Sequence, residues 1–232
     1  MRKVVAVAIV GALALAACGG KSSSKGSNGA TKGGSSSGND FSSLVAKTNN
    51  AKYKVTYQSG SDTPFTIAQD PPRFSYTTES SGTYVTADGS AVSCSGTGPT
   101  ATCTSLPGGG DSIKQGLTTS FGAIGALLVS QAGKGIPGLS SITKTTGKTI
   151  AGRDAECATI DASSLGVLGA AIGKGSYSVC VDKATGVMLE SKTDDGNGHT
   201  TDVKATAFGT PSDADLTPPA TPVTIPGLTP ST

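Results

Sequence analysis

Tyr53-Lys54-Val55-Thr56-Tyr57-Gln58, then Phe65-Thr66-Ile67-Ala68, then Arg73-Phe74-Ser75-Tyr76-Thr77 decide the fold of this chain. In each stretch an apolar residue alternates with a polar or small one, the period-two signature of a strand that buries one face. Turn residues separate the stretches at Ser59-Gly60-Ser61-Asp62, at Asp70-Pro71-Pro72 and at Ser80-Ser81-Gly82. Consecutive strands joined by short turns make an antiparallel meander with one apolar face. The meander is expected to continue through Thr83 to Ala87, an Asp88-Gly89 turn, and strands carrying Cys94 and Cys103.

Downstream the period changes. Ile113, Leu117, Phe121, Ile124 and Leu128 recur at steps of three or four, which places them on one stripe of a helix spanning Asp111 to Ala132. Gly116, Gly122 and Gly125 each cost such a helix up to about 1 kcal/mol relative to alanine, so packing must hold it. A second meander follows, over Ala155 to Ile160, Tyr177 to Asp182, Val187 to Thr193 and Thr201 to Phe208, with Asp195-Gly196-Asn197-Gly198 as a hairpin turn. Upstream of the first meander, Asp40 caps an expected short helix over Phe41 to Asn49. The segment Leu165 to Ile172 is apolar and glycine-rich, with no tidy periodicity.

The ends of the chain are different in kind. Arg2 and Lys3 precede an apolar run from Val4 to Ala17 that stops at Leu15-Ala16-Ala17-Cys18. The run is too short for a bilayer span, which takes roughly 20 apolar residues, and it reads as an export signal over residues 1–17. The motif resembles the bacterial lipobox, which implies that Cys18 becomes an acylated N-terminus and that the protein works on the extracytoplasmic face of a cell membrane, held there by lipid. Residues 18–39 read as the lipidated cysteine and a flexible Gly/Ser/Lys tether, residues 40–210 as one domain, and residues 211–232 as a proline-rich tail, extended or disordered and outside the core.

Without Arg2 and Lys3 the chain has 16 basic and 16 acidic residues, which gives no electrostatic reason to bind nucleic acid. Besides Cys18 there are four cysteines, an even set in a compartment where disulfides persist. Four cysteines allow three connectivities. The preferred pairing is Cys94 with Cys103 and Cys157 with Cys180, because each pair sits on neighbouring strand-like segments. Metal binding is disfavoured by the absence of any C-x-x-C spacing and by a single histidine.

Three motif matches fail on context. Gly133-Lys134-Gly135-Ile136-Pro137-Gly138 fits G-x-G-x-x-G but opens no helix, and Gly147-Lys148-Thr149 lacks the first glycine of a P-loop, where Ile142 stands. Gly34-Ser35-Ser36-Ser37-Gly38 fits G-x-S-x-G but lies in the tether. His199, beside Asp194, Asp195 and Asn197, reads as part of a polar hairpin tip. No catalytic constellation, metal site or cofactor is expected.

Ala151-Gly152-Arg153 leading to Cys157, Tyr177-Ser178-Val179-Cys180-Val181-Asp182 followed by Thr185-Gly186, and Leu216-Thr217-Pro218-Pro219 resemble actinobacterial lipoproteins of the LppX and LprG kind. The order of elements is similar to the LolA-like fold. The resemblance implies an α+β domain in which a curved antiparallel sheet, a half-barrel, wraps a central helix and loops around an apolar cavity for acyl chains. The expected lining is Val55, Tyr57, Ile67, Phe74 and Tyr76 from the strands, Phe121, Ile124 and Leu128 from the central helix, and Leu165 and Leu168 from a lip over the mouth. Core and cavity residues have the same composition and only packing separates them. A lipid or lipidated cargo is therefore the first expectation, and an envelope sensor or adaptor that docks a protein, its cavity filled, is the alternative.

Overall fold

The computed structural model describes residues 43–60, 62–106, 108–114, 143–161 and 175–224, with the backbone alone described for 143–146. Among these residues twelve strands form one open, curved sheet. In chain order they are β1 (Tyr53–Ser59), β2 (Phe65–Asp70), β3 (Arg73–Thr77), β4 (Ser81–Val85), β5 (Ala91–Ser95), β6 (Thr102–Leu106), β7 (Thr143–Ile150), β8 (Arg153–Asp161), β9 (Ser176–Asp182), β10 (Met188–Asp194), β11 (Thr200–Gly209) and β12 (Val223–Thr224). Their order across the sheet is β12-β6-β5-β4-β3-β2-β1-β11-β10-β9-β8-β7. Both expected meanders are present, and the antiparallel pairing of β1 with β11 fuses them into a single sheet. The open, curved antiparallel sheet is the one implied by the LolA-like resemblance.

Register explains the burial. Val55 faces Ile67, Ile67 faces Tyr76, and the row runs on through Thr83, Ser93 and Thr104. The opposite face carries Lys54, Ala68, Ser75, Tyr84, Val92 and Ser105 in the next row. The main core joins Val55, Tyr57, Phe65, Ile67 and Phe74 to Leu189 and Ala205 across the β1–β11 seam. Two satellites stand apart. Ile160, Tyr177, Val179 and Val181 pack with Leu44 and Val45, and Tyr84, Val92, Cys94 and Cys103 pack with Ala220.

Several expectations shift. Of the expected Phe41–Asn49 helix, residues 43–47 are α-helical and the chain then tightens into a 3-10 turn over Thr48–Asn50, as threonine and asparagine support a regular helix poorly. The helix expected from Asp111 begins one residue earlier, at Gly110, and its remainder beyond residue 114 lies outside the described residues. Ser81 and Gly82, expected in a turn, start β4. Strand β7 was not anticipated. It contains Gly147-Lys148-Thr149, which therefore sits in a strand and has no phosphate-loop context.

Residues 211–224 correct the expectation of an extended or disordered tail outside the core. They form a strap across the face of β1–β6 opposite the main core. Ser212 and Asp215 make a reciprocal capping box for the short helix Asp213–Leu216, and Leu216 is buried. The Asp215 carboxylate accepts from Lys54 Nζ at 2.6 Å, while its carbonyl accepts from the buried Ser75 hydroxyl at 2.6 Å. Arg73 Nη1 bridges Asp213 at 3.0 Å. The strap ends as β12, which pairs in parallel with β6. High proline content masked this segment in the sequence, because a strap anchored by side chains needs no periodicity.

Candidate functional site

Five of the expected lining residues come together. Val55, Tyr57, Ile67, Phe74 and Tyr76 share the apolar face of β1–β3, where the first four are buried and Tyr76 is half-buried. Phe65, which was read as part of a strand without a site role, completes them. Its ring stacks on Tyr57 at 5.1 Å between centroids and lies 5.5 Å from Tyr76, forming a ladder of three rings across neighbouring strands. The Tyr57 hydroxyl donates to the Met188 carbonyl at 2.7 Å, so this buried phenol is satisfied. Burial pushes the Tyr57 phenol well above its usual value and that of Tyr53 up to about 12, so both stay neutral at physiological pH. Phe121, Ile124, Leu128, Leu165, Leu168 and Cys18 lie outside the described residues.

The face extends beyond the residues that pattern reading found. Val85, Leu189, Ala205 and Phe208 pack on the same core. Val85 joins through its pairing with Phe74 in the first meander, whereas Leu189, Ala205 and Phe208 were missed because their inclusion depends on pairing between β1 and β11, about 150 residues apart. The face also changes character along one row. Val55 and Ile67 are buried, Thr83 and Thr104 are half-buried, Ser93 is exposed, and Val223, beside Thr104, is 66% exposed. Aromatic and aliphatic side chains at β1–β3 thus give way to hydroxyls and solvent toward β6.

The disulfides lock this frame. Cys94 is bonded to Cys103 across β5 and β6, and Cys157 to Cys180 across β8 and β9, each pair directly opposite in register.

The polar clusters serve structure. Arg153 binds the buried Asp182 carboxylate, which also accepts from the Thr185 amide at 2.9 Å and hydroxyl at 2.6 Å. Burial by itself would raise the Asp182 pKa, but the bonds from Arg153 and Thr185 outweigh it and hold the carboxyl below the usual range. Glu190 pairs with Lys148 at 2.5 Å. His199 Nδ1 sits 3.0 Å from Asp195 Oδ2 on an exposed hairpin tip, its side chain 86% exposed. Among the described residues, no three histidine, cysteine or acidic side chains converge as metal ligands would.

No protein-family model matches the chain, and no curated protein matches it. Solved structures do. The complex of Pseudomonas aeruginosa MucA and MucB is similar at 14% identity over 78% of this chain and 60% of that one, with a TM-score of 0.48. A crystal structure of MucB is similar at 14% identity over 80% and 64%, with a TM-score of 0.46. MucB in complex with MucA(peri) is similar at 14% identity over 78% and 59%, with a TM-score of 0.41. The chain spans about three fifths of the length of each.

Proposed function

We propose that this chain is a lipid-anchored, extracytoplasmic binding protein that takes an acyl chain or lipidated molecule against the apolar face of its sheet and performs no chemistry on it. The observation that carries the reading is the graded row from Val55 and Ile67 to Thr83, Ser93 and Thr104. An amphiphile fits such a row, with its chain reaching the ring ladder at the half-buried Tyr76 and its polar head toward the hydroxyls of Thr83, Ser93 and Thr104. Each methylene removed from water contributes about 0.8 kcal/mol, so a chain of ordinary length supplies ample affinity. The lipobox-like Leu15-Ala16-Ala17-Cys18, the tether behind it and the resemblance to LppX- and LprG-type lipoproteins support a position at the membrane, where such cargo is found.

Native mass spectrometry and lipid extraction on the full chain, produced through its export route so that the disulfides form, test this. A reproducible bound mass in the phospholipid or glycolipid range is expected, and Thr83→Trp, which blocks the row at a half-buried position, is expected to abolish it while the protein still melts cooperatively. A chain that is empty and fails to take up a fluorescent fatty acid would sink the reading.

A further inference from the structure

Strand β6 offers five residues, Thr102–Leu106, and β12 pairs with two of them, Thr104 and Ser105. Among the described residues this pair ends the sheet on its side. The two exposed large apolar side chains among the described residues both lie here, Leu106 at 42% and Val223 at 66%. They share a face, since Val223 stands beside Thr104 and Leu106 follows two positions along β6.

Sheet edges ordinarily carry lysine, proline or a bulge, which discourages pairing with other chains. The far edge obeys this, because β7 carries Lys144 and Lys148 and a register shift between Thr146 and Lys148. The β6 side departs from it. Between Ser81 and Leu106 the only charged residue is Asp88, which lies in the turn between β4 and β5. On the side of Thr102 and Cys103 the strand that covers β6 is stopped by its own sequence, because Pro222 immediately precedes Val223 and cannot donate a main-chain hydrogen bond. Thr102 and Cys103 consequently have no strand partner on that side among the described residues.

We propose that the β6 edge is a docking site for an extended, uncharged, β-branched segment of a partner protein, which adds as a strand in place of β12. Main-chain hydrogen bonds along Thr102–Leu106 supply the binding, and alternate side chains supply selectivity. Apolar side chains of the partner meet Leu106 on one face, and small ones fit beside Cys103 and Ser105 on the other. Val223–Thr224 holds the site in cis as a tethered competitor whose effective concentration a partner must exceed. The proposal stands apart from the acyl-chain reading, since it concerns the edge of the sheet and survives even if the face binds nothing.

The probe is a fluorescent peptide with the sequence of residues 220–228 and both prolines changed, Pro222→Thr and Pro226→Thr, offered to the full chain and to the full chain carrying Val223→Asp. Val223 is exposed, so the change weakens β12 without disturbing the core. The variant is expected to bind the peptide at least tenfold more tightly than the unaltered chain, and a peptide with aspartate at its Val223 position is expected not to bind. Hydrogen exchange on the unaltered chain at saturating peptide is expected to slow at residues 102–106. No binding to either chain, equal binding of the aspartate peptide, or protection confined to another region would overturn the proposal. So would a concentration-dependent dimer of the full chain that Val223→Asp abolishes, which would assign the edge to a second copy.

Discussion

The Arg153 guanidinium holds the Asp182 carboxylate through two parallel bonds, Nε to Oδ1 at 3.1 Å and Nη2 to Oδ2 at 3.0 Å, with its Cζ 4.7 Å from the centre of the Phe208 ring. One arginine therefore ties the β7–β8 turn to the end of β9 and covers the end of β11. Asp182 is 1% exposed, so its charge depends on that arginine.

Replacing Arg153 by alanine leaves a buried carboxylate with Thr185 alone for compensation. The expected loss is about 2–3 kcal/mol, below the range for fully buried pairs because the Arg153 side chain keeps 35% of its exposure. Asp182 has a depressed native pKa, so its contribution is complete above the unfolded carboxyl value near 4 and is lost as pH falls through the lower native value. Urea midpoints taken from pH 7 down to pH 2 should show a decline below about pH 4 that is shallower in Arg153→Ala. An equally steep decline in the variant would remove this pair as its source.

Gly186 has φ +73° in the β9–β10 turn, and a Cβ there would lie 1.8 Å from the Leu44 carbonyl oxygen. Gly186→Ala must push the N-terminal helical segment off the sheet. Gln69, which donates to the carbonyls of Thr48 at 2.7 Å and Ala51 at 3.0 Å, still holds the far end. The expected result is rapid proteolytic cleavage within residues 43–51 and a lower melting temperature. Gly89→Ala, with similar φ but nothing near its added carbon, should cost only about 1 kcal/mol and leave cleavage unchanged.

Apolar burial is expected to dominate in the strap. Leu216→Ala should cost about 2–4 kcal/mol, as for other buried leucines. Lys54→Ala should cost at most about 1 kcal/mol, since the Lys54 side chain is 39% exposed and its ion pair with Asp215 is shared with solvent. Chemical denaturation of both variants at low and high salt settles the ranking. If Lys54→Ala proves the more damaging, charge holds the strap.

The two disulfides close loops of different length, with sequence separations of 9 for Cys94–Cys103 and 23 for Cys157–Cys180. Loop entropy gives about 2.6 and 3.4 kcal/mol respectively. Paired cysteine-to-alanine variants should therefore rank in that order by urea midpoint. The reverse order would mean that packing against Tyr84, Val92 and Ala101 outweighs the loop term.

Alternation made most of the sheet readable. Tyr53-Lys54-Val55-Thr56-Tyr57 shows a strand because one side is apolar and buried while the other is polar and half-exposed. Thr143-Lys144-Thr145-Thr146-Gly147-Lys148-Thr149-Ile150 gives no such contrast, since seven of its eight residues are polar or glycine and only Ile150 marks a core. Val223 and Thr224 were hidden for another reason, as a strand of two residues carries no pattern at all. In the site, local strands supplied Val55, Tyr57, Ile67, Phe74 and Tyr76, while Leu189, Ala205 and Phe208 join only through the long-range seam. Sequence periodicity reports which face of an element is buried, and it is silent on which distant element arrives to bury it.

The placement of β1 between β2 and β11 has a consequence for biogenesis. A polypeptide leaves the ribosome N-terminus first, so β1 through β6 appear long before β11. During that interval β1 is a bare edge, with the main-chain groups of Lys54 to Ser59 that later meet Val203 to Gly209 still without their strand. Completion of the sheet thus waits for β11, about 150 residues after β1, and the nascent chain stays unfinished until that strand has been made. A stop codon anywhere before β11 would strand this open edge permanently, producing a species prone to aggregate instead of a smaller working domain.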